Sequence, residues 1–179
     1  MNKTKLDELL YSGTNNYNDG KEENNYENHY LEQYRIYLNI FNSTSDRRNK
    51  VNEFFLGLNT AIIGAIGFLE TKNLTGGNSV ILIFAPFVGI GICYCWYQMI
   101  LSYRKLNQAK FAVIHSVEEK LPLSLFKTEW ELLGKGVQPE KYIKLSSIEK
   151  KIPVIFIILY ILIFLFSLPI DLISAIIVK

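Results

Sequence analysis

The sequence predicts an all-α integral membrane protein with three transmembrane helices, an aromatic amphipathic helix near the N-terminus and a helical cytoplasmic region. Two observations support this prediction. Three blocks of the chain are almost free of charge, and each approaches the roughly 20 residues that span a bilayer. The remainder is polar, although the overall composition, 49% hydrophobic and 20% charged, is ordinary for a soluble protein. The prediction of a membrane protein therefore rests on the distribution of apolar residues along the chain and not on their total number.

Residues 1–23 form a polar arm with too few apolar residues to offset the entropy of ordering, so we expect the arm to be mobile.

Residues 24–50 are predicted to be a cytoplasmic amphipathic helix, because aromatic residues recur at spacings of three and four. These residues form an aromatic stripe along one face of the helix. The stripe indicates that the helix packs on other cytoplasmic helices or, alternatively, that it lies on the bilayer surface. The polar run at residues 42–49 interrupts this apolar pattern before the first span. The stripe consists of Tyr26, Tyr30, Tyr34, Leu38 and Phe41.

Residues 51–101 are predicted to form a transmembrane hairpin, with spans at about 53–70 and 80–101. The connection between them is short and rich in turn-forming residues. Both spans carry small residues at four-residue spacing, which lets helix backbones approach closely in lipid. We expect these positions to pair the spans and to form oligomer contacts; they are Gly57, Ala61, Gly64, Ala65, Ala85 and Gly89.

The second span continues into a charged segment without a Gly or Pro, so both are predicted to belong to one long helix that ends near Pro122. The region 102–151 is predicted to be helical throughout. Ser124 is positioned to cap a short helix that Gly134 would end. Ser146 and Glu149 have the spacing of a capping box, which predicts a helix start just before the third span.

The third span is predicted at residues 152–171 and is followed by an apolar tail, residues 172–179. It has almost no small residues, so we expect it to pack at the periphery and to face lipid. Seven Lys and Arg residues precede the first span and ten lie between the second and third, but the hairpin connection and the C-terminus have one each. Because positive charge stays in the cytoplasm, the arm and residues 102–151 are predicted to be cytoplasmic and the tail outside.

The sequence contains no recognisable catalytic or metal-binding motif, so we expect no enzyme activity, no cofactor and no metal. His29 and His115 lie far apart in the chain. Cys93 and Cys95 are two positions apart on a predicted helix and point to different faces, so free thiols are expected. A net charge of +2 gives no reason to expect binding to nucleic acid.

Polar residues inside the spans are informative because they are costly in lipid. Asn59 and Thr60 have two interpretations. They form hydrogen bonds between helices, or they line a narrow pore on an oligomer axis.

Two further pairs of residues are candidates for binding. Arg104 and Lys110 lie just beyond the second span, where they are placed to bind lipid headgroups or to form salt bridges. Glu129 and Trp130 are a candidate surface for a soluble cytoplasmic partner.

The run SYRKLNQAKF at residues 102–111 resembles the RipA family of octameric bacterial membrane proteins. Leu121-Pro122 and Glu129-Trp130 support the resemblance, which extends over residues 26–166. It implies a homo-octamer in the bacterial inner membrane with a helical cytoplasmic region and no enzyme activity. The first two spans are also loosely similar to the two-span SLATT effector domains, which implies membrane pore formation, but the third span sets this chain apart from them.

These observations predict a multi-pass protein of the bacterial inner membrane that assembles into a ring, as an octamer if the resemblance holds. Such a ring would act as a membrane scaffold or as a pore, and a pore could disrupt the membrane in defence. The alternative is a membrane-anchored adaptor whose cytoplasmic helices bind a soluble partner. The expected partners are other copies of the chain and membrane lipids.

Overall fold

The structure, a computed structural model, describes residues 3–13, 23–71, 80–138 and 140–167. All regular secondary structure in these residues is helical. The helices are α1 (Lys3–Leu10), α2 (Glu23–Thr71), α3 (Val80–Glu118), α4 (Leu125–Leu132), α5 (Leu145–Glu149) and α6 (Lys151–Ser167), with a 3-10 turn at Gly134–Gly136. Among the described residues, three helical stretches each contain an apolar segment long enough to cross a membrane: Tyr26–Thr71, Ile83–Glu118 and Leu145–Ser167. The prediction of an all-α membrane protein with three spans is confirmed.

The chain divides into two compact units. The aromatic unit comprises Met1–Arg47 and Arg104–Ile143, and the apolar unit comprises Arg48–Tyr103 and Lys144–Lys179. Helices α2 and α3 contribute residues to both units. Helices α1 and α4 belong to the aromatic unit, and α5 and α6 belong to the apolar unit.

Helix α2 continues through residues 42–49, where the apolar pattern of the sequence is interrupted. The run contains neither Gly nor Pro, and its polar side chains are compatible with a helix. Thr44 Oγ1 donates a hydrogen bond to the carbonyl oxygen of Ile40 at 2.8 Å, four residues back. Polarity alone does not end a helix, because the penalties for ordinary polar residues are small beside those of Gly and Pro.

Helix α1 lies within the arm that we expected to be mobile. Ser116 Oγ on α3 donates a hydrogen bond to Asp7, and the Tyr11 hydroxyl donates to the carbonyl oxygen of Ser116 at 3.2 Å. These contacts fix α1 against the end of α3 within the aromatic unit. Residues 14–22 of the arm, residues 72–79 of the hairpin connection and residues 168–179 lie outside the described residues.

Aromatic side chains form the interior of the aromatic unit. The rings of Phe41 and Phe111 meet edge to face at 5.0 Å between centroids, and Phe126 lies 6.4 Å from each of them. Trp130 stacks on Phe111 at 6.4 Å. Edge-to-face and offset stacked rings are favourable arrangements. The stripe on α2 therefore packs on other helices, as the first of its two interpretations proposed.

The start of α4 is capped by Glu118 and not by the predicted residue, Ser124. Ser124 occupies the N-cap position but makes no side-chain capping bond. The Glu118 carboxylate instead accepts hydrogen bonds from the backbone N–H groups of Phe126 at 2.9 Å and Lys127 at 3.1 Å. A carboxylate at a helix N-terminus also interacts favourably with the helix dipole. Gly134, which follows the end of α4, has a φ of +65° and supports its predicted role as a stop.

The predicted capping box before the third span is absent. Helix α5 begins at Leu145 with Lys144 at the N-cap, so Ser146 lies inside the helix. Glu149 points elsewhere and binds side chains of α2. The spacing was correct for a capping box, but a stronger polar partner determines where Glu149 points.

The core of the apolar unit is formed by Ile66 of α2, Cys93 of α3 and Tyr160 of α6. The Tyr160 ring lies directly against Gly89, where a Cβ atom would collide with it. Helix α6 thus packs closely through one face, although the sequence predicts a peripheral helix without close packing. Gly89 on α3 is the small residue that permits this contact, and Tyr160 on α6 is the large side chain that fills the space.

Candidate functional site

One face of α2 carries Arg48, Asn52 and Asn59 into the apolar unit. Their spacings of four and seven residues place them on one side of the helix, because an α-helix turns once every 3.6 residues. Polar side chains of α3, α5 and α6 meet this face. We call the assembly the polar cluster: Arg48, Asn52, Asn59, Cys93, Trp96, Glu149 and Tyr160.

The first part of the polar cluster is centred on Glu149, which is buried. Its Oε1 atom lies 3.6 Å from Arg48 Nε and accepts a hydrogen bond from Asn52 Nδ2 at 3.1 Å. Trp96 Nε1 donates to the Oδ1 atom of Asn52 at 2.9 Å. The Trp96 ring also stacks on Phe55 at 5.8 Å. A buried ion pair tolerates desolvation only with such supporting hydrogen bonds, so this group links α2, α3 and α5 as a set.

The second part of the polar cluster is centred on Asn59, whose side chain is fully buried. Its Oδ1 atom accepts hydrogen bonds from Cys93 Sγ and from the Tyr160 hydroxyl, each at 3.1 Å. Its Nδ2 group donates to the carbonyl oxygen of Phe55 at 2.8 Å. One amide therefore joins α2, α3 and α6 at the level of the apolar core, where water is not available to replace it.

The polar cluster has the chemistry of a structural bond network. Within the described residues, no group of three or more His, Cys, Asp or Glu side chains is placed to hold a metal ion. The buried Oε2 atom of Glu149 and the Nε atom of Arg48 lack a hydrogen-bond partner among the same residues. What the arrangement can do is fix the rotation and the register of the spans, because each bond requires a particular face of each helix.

Residues 31–169, more than three quarters of the chain, match the octameric membrane protein family (8xMP). The chain belongs to this family. No curated protein and no solved structure matches the chain. Membership of the octameric membrane protein family confirms the suspected octameric resemblance and supports a homo-oligomeric membrane protein. The more specific RipA and SLATT resemblances stay predictions.

Asn59 and Thr60 have different environments in this member of the octameric family. Asn59 is buried inside the subunit, which contradicts the pore-lining interpretation and supports the alternative of hydrogen bonds between helices. Thr60 is exposed, and its hydroxyl donates to the carbonyl oxygen of Leu56 at 2.8 Å. Of the two residues, only Thr60 is placed to face another subunit.

The small residues predicted to pair the first two spans do not act as one set. A Cβ atom added at Gly57 or Gly64 would meet nothing within 4 Å, and Ala61 and Ala65 are also exposed. On α3, by contrast, Gly89 lies against Tyr160, and Ala85 packs against the core. The small residues of α2 are therefore exposed on the subunit surface, whereas Ala85 and Gly89 of α3 pack inside the subunit.

Neither predicted cationic residue forms an ion pair with the described residues. Lys110 is buried, and its Nζ atom lies 5.4 Å from the centroid of the Tyr37 ring. Arg104 is half-buried. In the proposed partner surface, Glu129 is exposed, but Trp130 is half-buried against Phe111.

Sequence reasoning missed most of the polar cluster. Arg48 was read only as a charge flanking a span, and Asn52 was placed at the interface or in protein because the apolar run that follows it is short for a span. The spacing of Arg48, Asn52 and Asn59 on one face of a continuous helix is visible in the sequence. Glu149 and Tyr160 had no local signal, because their partners are about 100 residues away in the chain.

Proposed function

We propose that this protein is a homo-oligomeric scaffold of the bacterial inner membrane, in which the polar cluster stiffens each subunit and the exposed small residues of α2 join subunits. The observation that carries the proposal is the open face formed by Gly57, Ala61 and Gly64. Small residues on a lipid-exposed helix let a neighbouring helix approach closely, since association in lipid relies on van der Waals packing. Membership of the octameric family supports self-association.

A conducting pore, including one that disrupts the membrane, is the second form of this proposal. Its support is weaker because Asn59 is inside the subunit and the Thr60 hydroxyl is bound to its own helix. A ring lined by the α2 faces would present mainly Gly and Ala. Conductance of the purified oligomer in planar bilayers distinguishes the two forms: we expect no unitary currents from the scaffold, and Thr60-dependent currents would establish the pore.

Substitution of Gly64 with Leu tests the assembly. We expect Gly64→Leu to dissociate the oligomer, because its side chain occupies the space that a neighbouring backbone needs. Gly91→Leu is the matched control, since Gly91 is also a glycine in a span with open space around it, but it belongs to α3. The measurement is the mass of each complex in mild detergent, by light scattering corrected for bound detergent. An unchanged oligomer for Gly64→Leu would refute this interface.

An adaptor remains a second candidate because apolar side chains are exposed around α4. Leu123, Leu125, Leu132 and Val137 are each about two-thirds exposed or more. Leu132→Glu should abolish capture of a soluble partner without changing the oligomer mass, and Glu129→Gln should leave capture intact. Equal capture by both variants would exclude this surface. The test does not use Trp130, because its packing on Phe111 makes its substitution disruptive.

A further inference from the structure

The aromatic unit contains a cavity of about 290 Å³ that is walled mainly by tyrosines. Its volume is close to the lower limit of small-molecule sites, and apolar and aromatic walls with few polar groups are typical of such sites. Helix α2 supplies four of the rings, the turn after α1 supplies the fifth, and α3 supplies two valines. The tyrosines are Tyr11, Tyr26, Tyr30, Tyr34 and Tyr37.

Three of these tyrosines have hydroxyls that bond to the end of α3. The Tyr30 hydroxyl donates to the carbonyl oxygen of Val117 at 2.8 Å, and the Tyr11 hydroxyl donates to that of Ser116. Tyr34 reaches the Glu118 carboxylate at 3.5 Å. Burial raises the pKa of Tyr30, Tyr34 and Tyr37 above the ordinary value of 10.0, so these walls are neutral at physiological pH. The rings are thus held as fixed, uncharged surfaces.

Two lysine side chains lie over the rings of tyrosines that line the cavity, although neither lysine lines it directly. Lys110 is 8% exposed, and its ammonium group lies over the Tyr37 ring. The Lys120 ammonium group lies 3.0 Å from the centroid of the Tyr11 ring. Neither lysine has a carboxylate within ion-pair distance among the described residues. Lys110 is buried, and a buried cation without an anionic partner is unfavourable. Lys120 is exposed, so its ammonium group is accessible to an anion that enters from solvent.

A second cavity, of about 450 Å³, adjoins the first and shares Tyr26 and Tyr30 with it. Lys120 and Glu27 both border this second space. A ligand whose body lies between the tyrosine rings can therefore extend a charged group past Tyr26 and Tyr30 to Lys120. The negative charge of Glu27 would repel that group. We therefore expect Glu27 to weaken binding and Lys120 to strengthen it.

We propose that this paired cavity binds a small organic anion with a planar apolar body. The planar body stacks on the tyrosine rings, which favour flat partners. The anionic group pairs with Lys120, which borders the second cavity. The site lies wholly in the aromatic unit and is independent of the oligomer interface of α2.

Binding is measured by isothermal titration calorimetry on the full chain in lipid nanodiscs, with empty nanodiscs subtracted for partition into lipid. The probes are 2-naphthoate and 2-naphthylmethylammonium, which share a planar body and differ in charge. We expect saturable binding of 2-naphthoate, one per chain, and at least tenfold weaker binding of the cation. Equal binding of the two probes, stronger binding of the cation or no saturable binding of 2-naphthoate would each overturn the proposal.

Variants locate the site. Lys120→Met should weaken 2-naphthoate binding roughly tenfold, as expected for loss of a charge-assisted contact, and Glu27→Gln should strengthen it. Lys105→Met, at an exposed lysine of α3, is the control. Gly13→Phe should fill the cavity and block binding without removing a contact, because a Cβ at Gly13 meets nothing within 4 Å. Retained binding in Gly13→Phe would place the probe elsewhere and refute the site.

Discussion

The Asn59 side chain accepts two hydrogen bonds from other helices, one from Cys93 of α3 and one from Tyr160 of α6. Its replacement by Leu leaves the Cys93 thiol and the Tyr160 hydroxyl buried without an acceptor. A buried donor without a partner costs about 1–3 kcal/mol. Tyr160→Phe removes one of the two bonds, but the Asn59 amide keeps its bond from Cys93. This substitution should therefore destabilise the subunit less, by about 0.6 kcal/mol, which is the average for hydrogen bonds between helices in a membrane protein.

The measurement is unfolding of the detergent-solubilised protein by a denaturing detergent, followed by tryptophan fluorescence, to which Trp96, stacked on Phe55, and Trp130, stacked on Phe111, both contribute. Thr60→Ala is the neighbouring control, because the Thr60 hydroxyl bonds only within its own helix. We expect the order of destabilisation to be Asn59→Leu, then Tyr160→Phe, then Thr60→Ala. If Asn59→Leu were as stable as the parent, the polar cluster would contribute nothing to the stability of the subunit.

At the scale of a helix, α4 depends on a carboxylate that comes from another helix. Glu118 is almost fully buried and accepts bonds from the first free N–H groups of α4. Loss of a helix cap costs about 0.5–2 kcal/mol. Glu118→Ala should therefore speed hydrogen–deuterium exchange across residues 125–132. Glu119→Gln should change it little, because Glu119 meets Lys127 at 3.6 Å near the surface, where ion pairs contribute little.

The helices themselves were largely predictable from local pattern. Hydropathy predicted the three spans, and uninterrupted helical periodicity predicted that the second span continues to the end of α3. Local pattern failed where a long-range contact competed with it. Glu149 fits a capping box by spacing, and Ser124 is a suitable cap by residue type, but Asn52, Arg48 and Glu118 provide the bonds that form. The polar cluster depends on such contacts, so of its bonds the sequence indicated only those of Asn59.

At the scale of the whole molecule, the distribution of positive charge predicts the orientation in the membrane. Ten Lys and Arg residues lie between the second and third spans, and one lies in the hairpin connection. The translocation of a strongly basic segment is unfavourable, so residues 102–151 should remain in the cytoplasm. A cysteine at position 135 in a Cys93→Ala, Cys95→Ala background should react with a membrane-impermeant maleimide only after the cells are opened. A cysteine at position 72 should react in intact cells.

The replacement of Lys72 or Lys135 by Cys removes one positive charge in each case, so the two variants are matched in charge. Labelling in the opposite pattern would place the aromatic unit outside and would remove the adaptor hypothesis together with any cytoplasmic source for the organic anion. The predicted pattern would place both the tyrosine-walled cavity and the exposed apolar residues around α4 in the compartment where soluble partners and metabolites are available. The orientation is therefore the measurement that decides which ligands can reach the aromatic unit.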